Sequence, residues 1–154
     1  MPGQRSGGTE LRREVRIDAS PETVFGFLTD PARIPTWMGR SAVFEPRPGG
    51  DFKIEINDRD TARGKVVEVT PFERVVFTFG WERTDNPIRP GSTTVEVSLR
   101  RDGDATVVTL VHTGLPEDAI ADHATGWVHY LGRLVIAASG GDPGPDPNGQ
   151  PGGM

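Results

Sequence analysis

Residues 11–17, LRREVRI, alternate in side-chain character and put Leu11, Arg13, Val15 and Ile17 on one face. Period-two alternation predicts a strand. The next stretch, DASPETVFGFLTD, changes period. Ser20 is a good N-cap and Pro21 suits the first helical position. Val24, Phe25 and Leu28 then form one apolar helical face, and Asp30-Pro31 ends the helix. A second short helical piece is expected over 31–39, broken at Pro35.

Six strand patterns follow, over 41–45, 51–57, 61–70, 73–81, 92–101 and 104–113. Phe52, Ile54 and Ile56 share a face in the second. Val75, Phe77, Phe79 and Trp81 share one in the fourth. Asp102-Gly103 is a hairpin signal between the last two. A long helix is predicted over 118–138, where Ile120, Ala124, Trp127, Leu131, Leu134 and Ala138 recur at spacings of three and four. Val128 and Val135 are expected to widen that stripe. Gly126 and Gly132 weaken the helix by roughly 1 kcal/mol each, so tertiary packing must hold it. Short turns between successive strands imply an antiparallel sheet. With one long terminal helix, this is an α+β layer architecture.

Composition refines the boundaries. The 154 residues suit one domain. Its 20 Gly and 14 Pro crowd the ends, so residues 1–9 and 140–154 are expected as disordered tails around a folded body at 10–139. With no cysteine, disulfides and thiol chemistry are excluded. Net charge is −5 and the arginines are scattered, which disfavours nucleic acid. The opening MPGQRSGGTE has no apolar signal core, and no aliphatic run would insert in a membrane. A cytoplasmic protein is expected.

The chain resembles the SRPBCC (START-like, Bet v 1-like) superfamily, and within it the bacterial activator of Hsp90 ATPase homologue family. The resemblance rests on IDASPETVFGFLTDP, FTFGW at 77–81, the pair PGSTTVEVSL and TLVHTGLP, and HATGWVHYLGRL at 123–134; GGDPGPDP at 140–147 is similar to tails in the family. It implies a helix-grip fold, a curved antiparallel sheet around the C-terminal helix, and an apolar cavity between them. Relatives of this fold include lipid carriers, aromatase/cyclase enzymes and a co-chaperone domain, so the fold leaves function open.

Residues expected to line the cavity are Trp37, Phe52, Phe77, Phe79, Trp81, Trp127 and Leu131. His112 shares a strand face with Thr106, Val108 and Leu110, and is expected to offer a polar handle or to be a satisfied core histidine. Glu68 joins the site only if Val67 and Val69 face outward, which the alternation leaves open. Asp58 and Asp60 fall in a turn and read as solvated. His123 and His129 are six apart and cannot chelate as an i, i+4 pair, so no metal and no cofactor are expected. Nucleophile elbows and phosphate loops are absent from the sequence. Bulk on the sheet opposite Gly126 and Ala124 predicts an internal apolar pocket of a few hundred cubic ångströms, in the usual range for small-molecule sites. The favoured function is non-catalytic binding of a hydrophobic or amphipathic small molecule, of lipid or aromatic type. An aromatase/cyclase-like enzyme and a stress-related protein-interaction domain are the alternatives, and a homodimer is compatible with each.

Overall fold

The computed structural model describes residues 10–149. Strand β1 (Leu11–Ile17) leads into α1 (Pro21–Thr29) and a 3-10 turn at Ile34–Thr36. Strands β2 (Ser41–Phe44), β3 (Asp51–Glu55), β4 (Thr61–Thr70), β5 (Arg74–Phe79), β6 (Thr93–Asp102) and β7 (Ala105–Thr113) follow. A 3-10 turn at Glu117–Ala119 opens α2 (Ile120–Ala138), and a last one lies at Pro147–Gly149. The seven strands form one antiparallel sheet in the order β1-β7-β6-β5-β4-β3-β2. Consecutive strands from β2 to β7 are neighbours. Strand β1 pairs with β7 at the far edge, so α1 and the turn after it carry the chain from one edge of the sheet to the other.

Local chemistry explains the elements. Ser20 caps α1 by accepting the Thr23 amide at 3.2 Å, and Asp30 ends it. On β6, Thr93, Val95, Val97 and Leu99 are buried while their alternate neighbours are not, so one face meets the core. On β5, Val75, Phe77 and Phe79 face the same core, while Val76 on the other face is buried as well. The buried face of α2 carries Trp127, Leu131, Leu134 and Ala138, as the stripe predicts. Val128 does not widen it: the side chain is 57% exposed, and Tyr130 and Ala137 are buried instead.

Strand β4 departs from simple alternation. Ala62 and Val66 face the core, but the β4–β5 register shifts between Val66 and Glu68. A bulge inserts one extra residue and reverses the facing of those that follow. Val69 therefore packs against the core and Glu68 turns outward. There Glu68 accepts from Thr70 Oγ1 at 3.0 Å and faces Arg74 Nε at 3.3 Å, and Arg74 also reaches Glu96 at 2.7 Å. Glu68 is removed from the expected ligand site.

The expected C-terminal tail also needs correction. Within its described part, residues 140–149, the chain runs back along α2. Arg133 donates to the carbonyls of Pro143 at 3.3 Å and Gly144 at 2.8 Å. Asp146 meets His129 Nε2 at 3.0 Å and accepts the Tyr130 hydroxyl at 2.7 Å. Asn57 donates to the Asn148 carbonyl at 2.9 Å. Polar side chains on α2 fix this segment, and a reading based on its low apolar content misses them. Residues 1–9 and 150–154, the rest of the expected tails, lie outside the described residues.

Candidate functional site

The inner faces of the sheet and of α2 meet in an aromatic core. Phe52 stacks on Phe77 with centroids 4.2 Å apart, and Phe79 lies edge-on to Trp81 at 5.4 Å. Trp37 closes the α1 side, its indole N–H donated to the Phe27 carbonyl at 2.8 Å. Between these groups a void of only about 30 Å³ remains, bordered by Trp37, Phe52, Phe77, Trp127 and Leu131 among others. That volume holds about one water, and the lining is apolar. The large internal pocket expected at this place is filled by the stacked phenylalanines.

A larger space than this void lies one layer outward and is open to solvent. A cleft of about 380 Å³ runs between the first half of α2 and the β3–β4 and β5–β6 connections. Phe79, Trp81, His123 and Trp127 form an aromatic wall, with Gly126 beside them on α2. A β-carbon built on Gly126 would meet nothing within 4 Å, so this glycine borders open space. The opposite rim is polar and includes Asn57, Asp60, Asn86 and Asn148. Trp127 and Met38 border both the cleft and the inner void and form the partition between them.

Two hydrogen-bond chains fix the aromatic wall. Trp127 Nε1 donates to His112 Nδ1 at 3.0 Å. His112 Nε2 lies 2.8 Å from Thr93 Oγ1, whose own proton goes to the Phe79 carbonyl at 2.7 Å. The donors assign the tautomer: with Nδ1 accepting, Nε2 carries the proton and gives it to Thr93. In the second chain Trp81 Nε1 donates to His123 Nε2 at 3.1 Å, and His123 Nδ1 lies 2.9 Å from the Ala119 carbonyl one turn back. Both nitrogens of each imidazole are occupied. His112 is wholly buried, and burial, reinforced by the neighbouring His123, pushes its pKa down to about 3. It borders neither cavity, and of its two expected roles the geometry matches the hydrogen-bonded core histidine, not the ligand handle.

The remaining expected residues divide between the two spaces. Phe79, Trp81 and Trp127 reach the cleft; Trp37, Phe52, Phe77 and Leu131 stay around the inner void. Asp60, read as merely solvated, lines the cleft, with Arg83 Nη1 at 3.4 Å and Asn57 Nδ2 at 3.4 Å. Asp58 pairs with Arg40 at 2.8 Å outside it. Asn148 joins the site only because the C-terminal segment docks, its side-chain amide donating to the Tyr130 hydroxyl at 3.3 Å. Among the described residues there is no group of three or more His, Cys, Asp and Glu placed to hold a metal ion. No described helix is long and apolar enough to cross a membrane.

A curved antiparallel sheet closed over a long C-terminal helix, with a cleft along that helix, defines a helix-grip protein. The family model described as Activator of Hsp90 ATPase homolog 1-like protein matches residues 18–138, and the chain belongs to this family. Among solved structures, an AHSA1-like protein from Rhizobium etli is 43% identical over 90% of this chain and 86% of its own, with a TM-score of 0.71. DynU16, a protein of the dynemicin biosynthetic locus, is 25% identical over 88% of this chain, with a TM-score of 0.76; this chain spans about half of its length, 49%. CalU16 from Micromonospora echinospora is 28% identical over 88% of this chain and 77% of its own, with a TM-score of 0.71. The Aha1 dimer of Colwellia psychrerythraea, 22% identical over 86% of this chain and 93% of its own with a TM-score of 0.74, shares the fold. No curated protein matches the chain.

Proposed function

We propose that this protein is a cytoplasmic binder of a hydrophobic or amphipathic small molecule, held without catalysis in the open cleft along α2. The observation that carries the reading is the cleft of about 380 Å³ walled by Phe79, Trp81 and Trp127 beside Gly126. Its volume falls in the small-molecule range, and pre-formed aromatic walls beside a few polar groups are the usual make-up of such sites. Apolar burial against the wall would supply the affinity, at roughly 25 cal/mol per Å².

An aromatase/cyclase-like enzyme in the same cleft is the second reading, kept by the likeness to a protein of a biosynthetic locus. Such chemistry needs a group free to take or give a proton beside the ligand. The histidines near the cleft have both nitrogens engaged, which leaves only the carboxylates of Asp60 and Asp122 for that role and favours binding over catalysis.

The test is N-phenyl-1-naphthylamine, a neutral dye that brightens in apolar surroundings, titrated onto native protein and onto Gly126→Leu. One saturable site is expected, weakened about tenfold or more by the leucine, equivalent to about 1.4 kcal/mol. The melting temperature should not fall. Binding only to partly unfolded protein, or affinity indifferent to Gly126→Leu, overturns the reading.

A further inference from the structure

The polar groups left over in the cleft are unevenly distributed by charge and by hydrogen-bond capacity. The donors of the aromatic wall are consumed: both indole N–H groups end on histidines, and both histidines are saturated. Asn57 is likewise spent, its oxygen on the amides of Arg59 and Asp60 and its nitrogen on Asp60 and Asn148. The remaining polar groups are the neutral amides of Asn86 and Asn148 and two carboxylates, Asp60 on the polar rim and Asp122 on α2. Among the described residues lining the cleft there is no lysine and no arginine. The nearest compensating cation, Arg83, touches Asp60 only at 3.4 Å and spends its closer contacts, 2.7 and 3.0 Å, on Asp85.

An anionic ligand would therefore meet two like charges with no cation to receive it. A ligand carrying a protonated amine would gain from the carboxylates and from the π-faces of Trp81 and Trp127, which attract cations electrostatically. On the strength of the small-molecule reading above, we infer that the cleft selects a flat apolar molecule bearing a cationic amine, and disfavours carboxylate and phosphate amphiphiles such as fatty acids. The amine would lie between Asp60 on the polar rim and Asp122 on α2, with the apolar body against the tryptophans.

Three probes sharing one naphthalene body separate this inference from the reading on which it rests: 2-naphthylmethylamine, 2-naphthylmethanol and 2-naphthoate, measured by calorimetry at pH 7 and low salt. The amine should bind roughly fivefold or more tighter than the alcohol, and the carboxylate should bind weakest. Raising ionic strength should shrink the amine's advantage, because rim charges are screened. Asp122→Asn and Asp60→Asn together should shrink that advantage several-fold. A melting temperature close to the parent's shows that the variant folds. If the carboxylate binds as well as the amine, or the double substitution leaves the amine's advantage undiminished, selection of a cation by Asp60 and Asp122 is wrong while the binding reading stands. If none of the three binds the native protein, the binding reading falls with it.

Discussion

Trp127 on α2 hangs its indole N–H on Nδ1 of His112 at the end of β7, 3.0 Å away and inside the core. This one bond ties the long helix to β7, next to the edge strand β1. It continues through Thr93 to the Phe79 carbonyl, so β5, β6, β7 and α2 share a single polar chain. Trp127→Ala should cost on the order of 3–5 kcal/mol, because the ring is buried and its removal leaves a cavity. His112→Phe keeps most of the volume yet strands the Trp127 N–H, and should cost about 1–3 kcal/mol. Chemical denaturation of both variants checks the pair.

The same histidine predicts a pH profile. Buried and neutral, His112 has its pKa pushed down to about 3. In the unfolded chain it titrates near its ordinary value of about 6.5. A depressed pKa in the folded state means that the unfolded state binds the proton more readily. Its contribution to stability is complete above about pH 6.5 and is lost as pH falls from there toward 3, with a slope of up to about 1.4 kcal/mol per pH unit. His112→Phe should remove that component of the slope, measured as melting temperature from pH 7 to pH 4.5.

Removing residues 142–154 should destabilise the protein, since the part that docks is fixed by Arg133, His129 and Tyr130. Stranding the buried Tyr130 hydroxyl and the Arg133 donors should cost about 1–3 kcal/mol, or several degrees in melting temperature. Asp146→Asn tests the anchor alone. Burial opposes charge on Asp146, but hydrogen bonds from His129, Tyr130 and the Asn148 amide outweigh it and hold its pKa below the ordinary carboxylate value. The anchor is thus complete above about pH 4 and loosens as the carboxylate protonates in stronger acid. A truncation that leaves stability unchanged would refute the docking.

Two glycines should respond to alanine in opposite ways. At Gly80 an added β-carbon would lie 1.7 Å from the Arg89 carbonyl oxygen, so the returning 82–91 loop must move. Gly80→Ala should cost about 1–3 kcal/mol or more, in the range of overpacked cores. At Gly126 nothing stands in the way, and Gly126→Ala should stabilise α2 by about 1 kcal/mol. Thermal melts of the two variants make the comparison directly.

Phe72 sits at the β4–β5 turn with φ of +68°, after Pro71, in a position that usually takes glycine. Its ring is 46% exposed and meets Phe25 of α1 edge-on at 5.5 Å. Relief of the backbone strain and loss of that contact should nearly cancel in Phe72→Gly, leaving stability within about 1 kcal/mol of the parent. Phe52→Ala, by contrast, should cost about 3–5 kcal/mol. Denaturation midpoints of the two variants distinguish a surface turn from the core.

The order of elements, the antiparallel sheet and the face of α2 that carries Trp127, Leu131 and Leu134 were all legible in the sequence, because periods of two and of three to four are local properties of the chain. Space at Gly126 was legible for a related reason: a missing side chain inside an amphipathic stripe leaves a gap wherever the partner surface does not fill it. Tertiary structure decided the rest. A single bulge after Val66 turned Glu68 away from the core, and no reading of alternation can place an extra residue. Phe52 and Phe77 closed on each other across β3, β4 and β5, so the expected interior pocket shrank to a void and the usable space moved outward. His112 lost its role as a handle because Trp127 and Thr93, 15 and 19 residues away, took both of its nitrogens. The C-terminal segment docked because Arg133, His129 and Tyr130 present partners along α2 that its own composition does not reveal. Each of these outcomes depends on which side chains meet across long stretches of chain, and that is settled by packing and hydrogen-bond satisfaction, not by any local pattern.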